Sequence, residues 1–260
     1  MATLTVDGRR VEVADDATIL DAIRAAGVQV PTLCHFDGLE PWGGCRLCVV
    51  DMWQQGWDED WFKMVTACNH PVADGMRILT RTERVLDTRR VVLDLLLARC
   101  PDTPLVRRLA AEHGIDETSF VPNEEPTDCI LCGLCTRVCD HIGVSAISSA
   151  GRGWGREIAP PFNQPPPDCI GCLACAEVCP TDCIPYETSS VTRTIWGRTF
   201  EMLRDPVTGE GMITKAQAEH FATSSGVPTS YFERSDAVKR RQLAATFAGL
   251  QPAAVEEDGS

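Results

Sequence analysis

Basic residues, long apolar runs and a secretory leader are scarce or missing in this sequence. Its 260 residues carry 24 Lys and Arg against 37 Asp and Glu, a formal net charge of −13. Because nucleic-acid binding needs a basic surface, we expect no nucleic-acid partner. The longest apolar stretches, such as the one from Val91 to Ala98, are too short to cross a bilayer, so we expect no membrane insertion.

The chain also gives no sign of secretion or of catalysis. No charged region followed by an apolar one opens the sequence, which predicts a cytoplasmic protein without a signal peptide. The segment GRGWGRE, from Gly151 to Glu157, lacks the sixth-position glycine of a dinucleotide-binding turn. With no flavin site and no acid–base pair in view, we predict no catalytic residues in this chain.

Cysteine is the residue that the chain has in abundance. Eight of its fourteen cysteines fall in two runs, CILCGLCTRVC and CIGCLACAEVCP, which both read C-x2-C-x2-C-x3-C. This is the spacing of bacterial two-cluster ferredoxins, in which the last Cys of each run ligates the other [4Fe–4S] cluster. Zinc ribbons, the alternative, show isolated C-x2-C pairs without the third and fourth Cys.

Two ligand sets follow from this crossing rule, and we call them the first and second cubane sets. The first cubane set is Cys129, Cys132, Cys135 and Cys179. The second cubane set is Cys169, Cys172, Cys175 and Cys139. Cys100 and Cys183 are surplus to these ligands, and we expect both to be packing residues because free cysteine is among the most buried residue types.

Four more cysteines precede the two runs, with the spacing C-x10-C-x2-C-x19-C. They are Cys34, Cys45, Cys48 and Cys68. Four thiolates with one close pair suit a [2Fe–2S] cluster, although the plant-type spacing has a shorter first gap. A zinc site or buried free thiols are the alternatives. Because thiolates supply every ligand, we expect no histidine ligand, and His70 is the best candidate for a neighbour that tunes the potential.

The residues around these four cysteines predict an α+β domain. Residues 4–13 alternate in polarity around Asp7-Gly8, which predicts a hairpin. Thr18 and Asp21 predict a capped helix, and a hairpin followed by a short helix is the opening of a β-grasp domain. Residues 53–61 carry tryptophan at every fourth position and predict an enlarged hairpin loop, either a packing insertion or a docking surface.

Helices and strands of the remaining chain are predicted from periodicity. A helix from Glu83 to Ala98 has Leu95 on its apolar face and Arg89 on the opposite face. Further helices are predicted at 105–113, 214–223 and 236–247, and one strand at 191–200. We expect a β-grasp [2Fe–2S] domain at 1–80, a helical bridge at 81–120, a two-cubane ferredoxin-like domain at 121–188 and a small C-terminal extension at 189–260.

This arrangement resembles the small iron–sulfur subunit of NAD-linked hydrogenases and the N-terminal part of the large iron–sulfur subunit of respiratory complex I. Related subunits occur in NAD-dependent formate dehydrogenases and in electron-bifurcating complexes. The C-x10-C-x2-C loop and the phrase CILCGLCTRVCDHIGVSAI carry the resemblance, which covers residues 1–188.

The sequence departs from these relatives in two places. Many of them hold an additional cubane with one His and three Cys, but residues 80–128 contain only Cys100 and His113, so we expect that cluster to be absent. Some relatives end in a four-Cys zinc ribbon. Here Asp205 and Ser235 stand where its cysteine turns are expected, which predicts a ribbon that has lost its metal, with proline and apolar packing replacing it.

The resemblance implies an electron-transfer subunit of a multi-subunit NAD(P)-linked oxidoreductase. Its implied cofactors are one [2Fe–2S] and two [4Fe–4S] clusters. Its implied partners are a flavin- and NAD(P)H-binding subunit and a terminal redox subunit, which is a hydrogenase, a formate dehydrogenase, a disulfide-type reductase or a bifurcating enzyme. The alternatives are a free-standing multi-cluster ferredoxin and a zinc-bound structural or nucleic-acid module, and the acidic charge suits docking on partner proteins.

Overall fold

The computed structural model describes residues 1–249, which fall into two compact units. The first unit contains residues 1–163 and 174–184, and the second contains residues 164–173 and the chain from Pro185 onward. The mixture of helices and sheets confirms the α+β class. The bounds of the four predicted domains stay predictions, and the end of the predicted extension, 250–260, lies outside the described residues.

The first unit opens with a five-stranded mixed sheet. Its strands are β1 (Ala2–Val6), β2 (Arg9–Val13), β3 (Val49–Trp53), β4 (Lys63–Thr66) and β5 (Arg77–Leu79), in the order β2-β1-β5-β3-β4. Strands β1 and β5 run parallel, and the other pairs are antiparallel. Helix α1 (Ile19–Ala25) begins with the predicted capping box and packs on the sheet, which is the arrangement of β-grasp folds.

Two helices follow the sheet, α2 (Glu83–Arg99) and α3 (Pro104–Glu112), and they pack against each other. The predicted faces of α2 are wrong at two positions, because Leu95 is 44% exposed and Arg89 is buried. A guanidinium can occupy the buried face only when carbonyl groups accept its hydrogen bonds. Two backbone carbonyl groups accept hydrogen bonds from Arg89 here.

The cysteine runs of the first unit lie on short elements. Helix α4 (Leu134–His141) begins just before Cys135, and α5 (Ala174–Glu177) contains Cys175. The two helices pack together. Between them the chain forms the hairpin of β6 (Ser148–Ala150) and β7 (Glu157–Ala159).

The second unit has a four-stranded antiparallel sheet in the order β11-β10-β9-β8. Its elements are β8 (Tyr186–Thr188), β9 (Thr192–Ile195), β10 (Arg198–Arg204), β11 (Gly211–Thr214), α6 (Lys215–Ser225) and α7 (Asp236–Gly249). The single strand predicted at 191–200 is wrong. Trp196 and Gly197 both have positive φ, 52° and 73°, so the chain turns there into a two-residue hairpin.

Candidate metal centres

The four cysteines of the predicted [2Fe–2S] site come together in the structure. Cys34, Cys48 and Cys68 are buried, whereas Cys45 is only partly buried. The backbone N–H of Cys45 donates to Sγ of Cys34 at 3.3 Å. The Cys34 thiol also bonds with the thiols of Cys45 and Cys68, and Cys68 bonds with Cys48. All four sulfurs therefore belong to one connected group, as the ligands of one small cluster must.

These thiol contacts separate the pKa values of the four cysteines. The hydrogen bond from Cys45, followed by the one from Cys68, lowers the pKa of Cys34 to about 2. The bond from Cys68 lowers the pKa of Cys48 to about 7. The same bonds raise the pKa of Cys45 and Cys68 well above the ordinary value. The shared protons leave when metal binds, because the thiolate is the ligand form.

A histidine nitrogen next to this group has no hydrogen-bond partner among residues 1–249. Nδ1 of His35, which follows Cys34 in the chain, is buried and unpaired, while its Nε2 lies 3.0 Å from Asp37. His70, the predicted tuning residue, instead has its Nδ1 2.9 Å from the carbonyl oxygen of Pro71. Because an orphaned buried polar atom is costly, the nitrogen of His35 and the converging thiols together fit a bound polar group at this place.

The first cubane set is also partly assembled. Burial, and after it the negative charges of neighbouring thiolates that include Cys179, raises the pKa of Cys132 to about 11 and that of Cys135 to about 12. Cys179 therefore lies near the first run, in agreement with the predicted crossing, although the charge of Cys175 acts on Cys135 as well. The exact ligand assignment stays a prediction.

The four cysteines of the second cubane set are divided between the units. Cys139 and Cys175 belong to the first unit, and Cys169 and Cys172 to the second. Backbone N–H groups donate to two of these sulfurs, from Ala146 to Cys139 at 3.3 Å and from Gly171 to Cys169 at 3.4 Å. Their grouping as one ligand set stays a prediction.

No single-ion site is formed in the described part of the chain. Within residues 1–249, no three His, Cys, Asp or Glu side chains lie close enough to hold one metal ion.

Three arginines of the first unit donate hydrogen bonds to backbone carbonyl oxygens of its cysteine loops. Arg89 donates to Leu47 and Val49, at 3.0 and 2.7 Å, on both sides of Cys48. Arg99 donates to the carbonyl of Cys129 at 2.9 Å, and Arg137 to that of Cys34 at 2.8 Å. Because Arg137 lies between Cys135 and Cys139, its bond joins the first cubane set to the [2Fe–2S] loop.

An apolar cavity of about 500 Å³ opens beside Cys45. Its walls include Leu95 and Trp154, which are 44% and 52% exposed, and Leu131, which lies between two cysteines of the first cubane set. Cys45 is thus the one cysteine of the [2Fe–2S] group that is both incompletely buried and adjacent to an apolar depression.

The tryptophan-rich segment forms the predicted enlarged hairpin between β3 and β4, and its rings are largely engaged. The Arg77 guanidinium lies 4.0 Å from the Trp53 ring centre. Trp57 packs against the sheet core and meets Trp61 edge to face at 4.6 Å. Only Trp61 is half exposed, so these contacts favour a packing insertion over a docking surface.

The C-terminal sheet is organised by one buried carboxylate. Oδ1 of Asp205 accepts hydrogen bonds from the backbone of Val207 and Thr208, at 2.8 and 3.2 Å, and Oδ2 accepts one from Ser235 at 2.7 Å. The bonds from Ser235, and then those from the other two residues, hold the pKa of Asp205 well below its usual range. A carboxylate, and not proline and apolar packing, therefore joins the two turns.

Residues 1–83 match the family model of the 2Fe-2S iron-sulfur cluster binding domain. The first 83 residues are a [2Fe–2S] cluster-binding domain. This match contains all four cysteines of the connected group described above. Among the described residues, no helix has the length and apolarity needed to cross a bilayer.

The chain is similar to three curated iron–sulfur oxidoreductase subunits. It is 31% identical over 178 residues to NADPH-Fe(3+) oxidoreductase subunit alpha of Geobacter sulfurreducens, and 31% identical over 192 residues to NADP-reducing hydrogenase subunit HndD of Solidesulfovibrio fructosivorans. It is 32% identical over 183 residues to the NADH-ubiquinone oxidoreductase 75 kDa subunit of Reclinomonas americana. These alignments cover 59%, 62% and 61% of this chain but only 20%, 32% and 26% of the relatives.

A solved structure, that of NAD+-reducing [NiFe]-hydrogenase in the H2-reduced state, resembles the fold with a TM-score of 0.52 at 28% identity. The likeness covers 61% of this chain and 74% of that chain. Together the comparisons confirm the predicted resemblance to iron–sulfur subunits of NAD(P)-linked oxidoreductases.

Proposed function

We propose that this chain is an iron–sulfur electron-transfer subunit of a multi-subunit NAD(P)-linked oxidoreductase, with the one [2Fe–2S] and two [4Fe–4S] ligand sets given above. The observation that carries the proposal is the joining of two cysteine groups in one packed core. Cys34 and Cys132 belong to the same buried cluster of side chains, and Arg137 bonds one loop to the other. When bound, iron–sulfur clusters take up and release one electron at a time.

The residues of the chain hold and shield these sites. Cys34, Cys48 and Cys68 are removed from water, and Arg89, Arg99 and Arg137 fix the backbone that carries the cysteines. Rigid loops suit electron transfer, since a metal site is tuned by the hydrogen bonds and burial around its ligands.

We place the contact with a partner subunit at the apolar cavity beside Cys45. Cys45 is the most exposed sulfur of its group, and Leu95 and Trp154 offer apolar surface next to it. Apolar surface of this kind suits the centre of a lasting interface more than brief encounters. This favours a subunit that stays bound to a flavin- and NAD(P)H-binding partner and to a terminal redox subunit over a free-standing shuttle.

The test is purification under anaerobic conditions, alone and with the partner subunits. The isolated chain should contain about ten irons and show one [2Fe–2S] and two [4Fe–4S] signals in electron paramagnetic resonance. It should not oxidise NADH with a dye. In the complex, Cys48→Ala should stop electron flow to the terminal acceptor while leaving the partner's own NAD(P)H-to-dye reaction intact. Bound flavin and NADH oxidation by the chain alone would contradict the proposal. A chain that does not co-purify with partner subunits from its native cells would favour the shuttle.

A further inference from the structure

Cys183 is a thiol that the ligand pattern leaves unused and that the structure places among the ligands. Its Sγ lies 3.5 Å from Sγ of Cys179, and the thiol of Cys129 lies close to it. Both partners belong to the first cubane set. We propose that Cys183 is a fifth thiol of the first cubane site, where it donates its S–H to ligand sulfur and raises the reduction potential. This inference rests on the proposed function, because it requires a bound cluster.

The two contacts of Cys183 have different origins. Cys179 is four residues earlier, and a tight turn brings the two together, with the N–H of Asp182 donating to the carbonyl of Cys179 at 3.3 Å. Cys129 belongs to the other cysteine run, so no local turn explains its contact with Cys183. Tertiary packing must bring Cys183 to face a ligand from each run.

The role of donor follows from counting the ligands. A [4Fe–4S] cluster takes one protein ligand at each of its four irons, and the crossing pattern supplies four thiolates without Cys183. A fifth thiol has no iron to bind, so it keeps its proton. A thiol is a weak donor, but its bond gains strength when the acceptor is a negatively charged sulfur.

The expected effect on the potential has a definite sign. A hydrogen bond to ligand sulfur stabilises negative charge, and the reduced cluster carries more of it than the oxidised cluster. Removing the donor therefore lowers the reduction potential. If water instead entered the space left by the side chain, it would stabilise the reduced state and raise the potential. A fall in potential thus separates a lost donor from a merely loosened site.

The experiment compares Cys183→Ala, Cys183→Ser and Cys100→Ala in the full chain. Redox titrations followed by electron paramagnetic resonance give the midpoint of the first cubane, with the other two clusters as internal references. We expect Cys183→Ala to keep about ten irons and to shift only that midpoint to a more negative value. Cys183→Ser, which keeps a hydrogen-bond donor, should have a midpoint close to that of the wild type. Cys100→Ala should have no effect, since Cys100 is buried and its thiol contacts Thr103.

A second readout follows the proton itself. Pulsed resonance spectra in H2O and D2O should show, beside the exchangeable backbone and hydroxyl protons near the first cubane, one further exchangeable proton that is lost in Cys183→Ala and present in Cys183→Ser. An unchanged midpoint and an unchanged coupling overturn the inference. Iron loss in Cys183→Ala, with full iron content in Cys179→Ala, also overturns it, because Cys183 would then be a ligand. A wild-type chain without cubane signals defeats the proposed function as well.

Discussion

The cysteine loops of the first unit and the C-terminal sheet of the second hold their turns together by opposite means. In the first, cysteine thiols are packed together away from water, and burial raises the pKa of Cys132 and Cys135 above the ordinary value. In the second, the buried carboxylate of Asp205 accepts three backbone hydrogen bonds and its pKa is lowered. Under the proposed function a metal group would complete the first arrangement, whereas the hydrogen bonds of Asp205 hold the second together.

This difference predicts what each region depends on. Thiols with raised pKa values must lose their protons to become ligands, so metal binding supplies folding free energy to the loops that hold them. A carboxylate with a lowered pKa stabilises the fold wherever it stays ionised. The cysteine loops should therefore respond to iron, and the C-terminal sheet should respond to pH.

The largest expected effect is the loss of a cluster from the first unit. Cys68→Ala removes a thiol that bonds with both Cys34 and Cys48, so the remaining three cannot complete the group. We expect the iron content to fall from about ten to about eight per chain, with loss of the [2Fe–2S] signal. Iron analysis and electron paramagnetic resonance measure this. An unchanged iron content in Cys68→Ala would break the comparison, because the loops would then not depend on their metal.

The next effect concerns the arginine that supports the same loops. Arg89→Leu leaves the carbonyls of Leu47 and Val49 without their donor in a buried place, and we expect a loss of about 3 kcal/mol in unfolding free energy. Arg90→Leu, at the exposed neighbouring position, should cost about 0.5 kcal/mol or less. Urea unfolding of both variants gives the two values. Equal losses would mean that the buried hydrogen bonds contribute nothing.

The next variant tests how far the Asp205 carboxylate stabilises the C-terminal sheet. Asp205→Asn should loosen the turns at Val207 and Ser235 without changing the iron content, because an amide offers only one oxygen where two now accept. Asp236→Asn, at an exposed position in α7, is the control. Hydrogen exchange of peptides from β10 to α7 reports the loosening. If iron is lost along with this protection, the two regions are not independent.

The pH dependence of that sheet has a fixed sign. The folded pKa of Asp205 lies below its unfolded value, so its stabilising contribution is fully present above the ordinary aspartate pKa. That contribution is lost as the pH falls through the ordinary value toward the folded one. As the pH is lowered from neutral to acidic, hydrogen exchange should show that the sheet of the wild type opens. The opening of the sheet in Asp205→Asn should depend less on pH.

Local patterns were sufficient where the sequence itself encodes the structure. Thr18 and Asp21 predict the start of α1 because both partners of the cap lie within one helical turn. The spacing of the cysteines predicts the ligand sets by a similar local argument, since three ligands of a cubane come from one short loop, and that assignment stays a prediction. The family-model match over residues 1–83 agrees with the prediction of a [2Fe–2S] domain.

The features that sequence reasoning missed depend on distant partners. Arg89 was predicted to face solvent, although its spacing of four residues from both Val85 and Leu93, which are buried, was an available signal. The partners of Cys183 and Asp205 could not be read in this way, because Cys129 and Ser235 are far from them in the chain. Trp196 was missed because a positive φ is uncommon for a residue other than glycine.

The smallest effect is expected at the rim of the first unit, away from the cysteines. Trp61→Ala removes one edge-to-face contact with Trp57 from a side chain that is already 51% exposed, so the unfolding free energy should fall by only about 1 kcal/mol. Iron content and assembly with partner subunits should not change. Leu95→Asp, in the cavity beside Cys45, is the matched variant and should weaken assembly while leaving the iron content intact. If Trp61→Ala weakened assembly as much as Leu95→Asp, the tryptophan loop would be a docking surface and the partner would not be confined to the cavity.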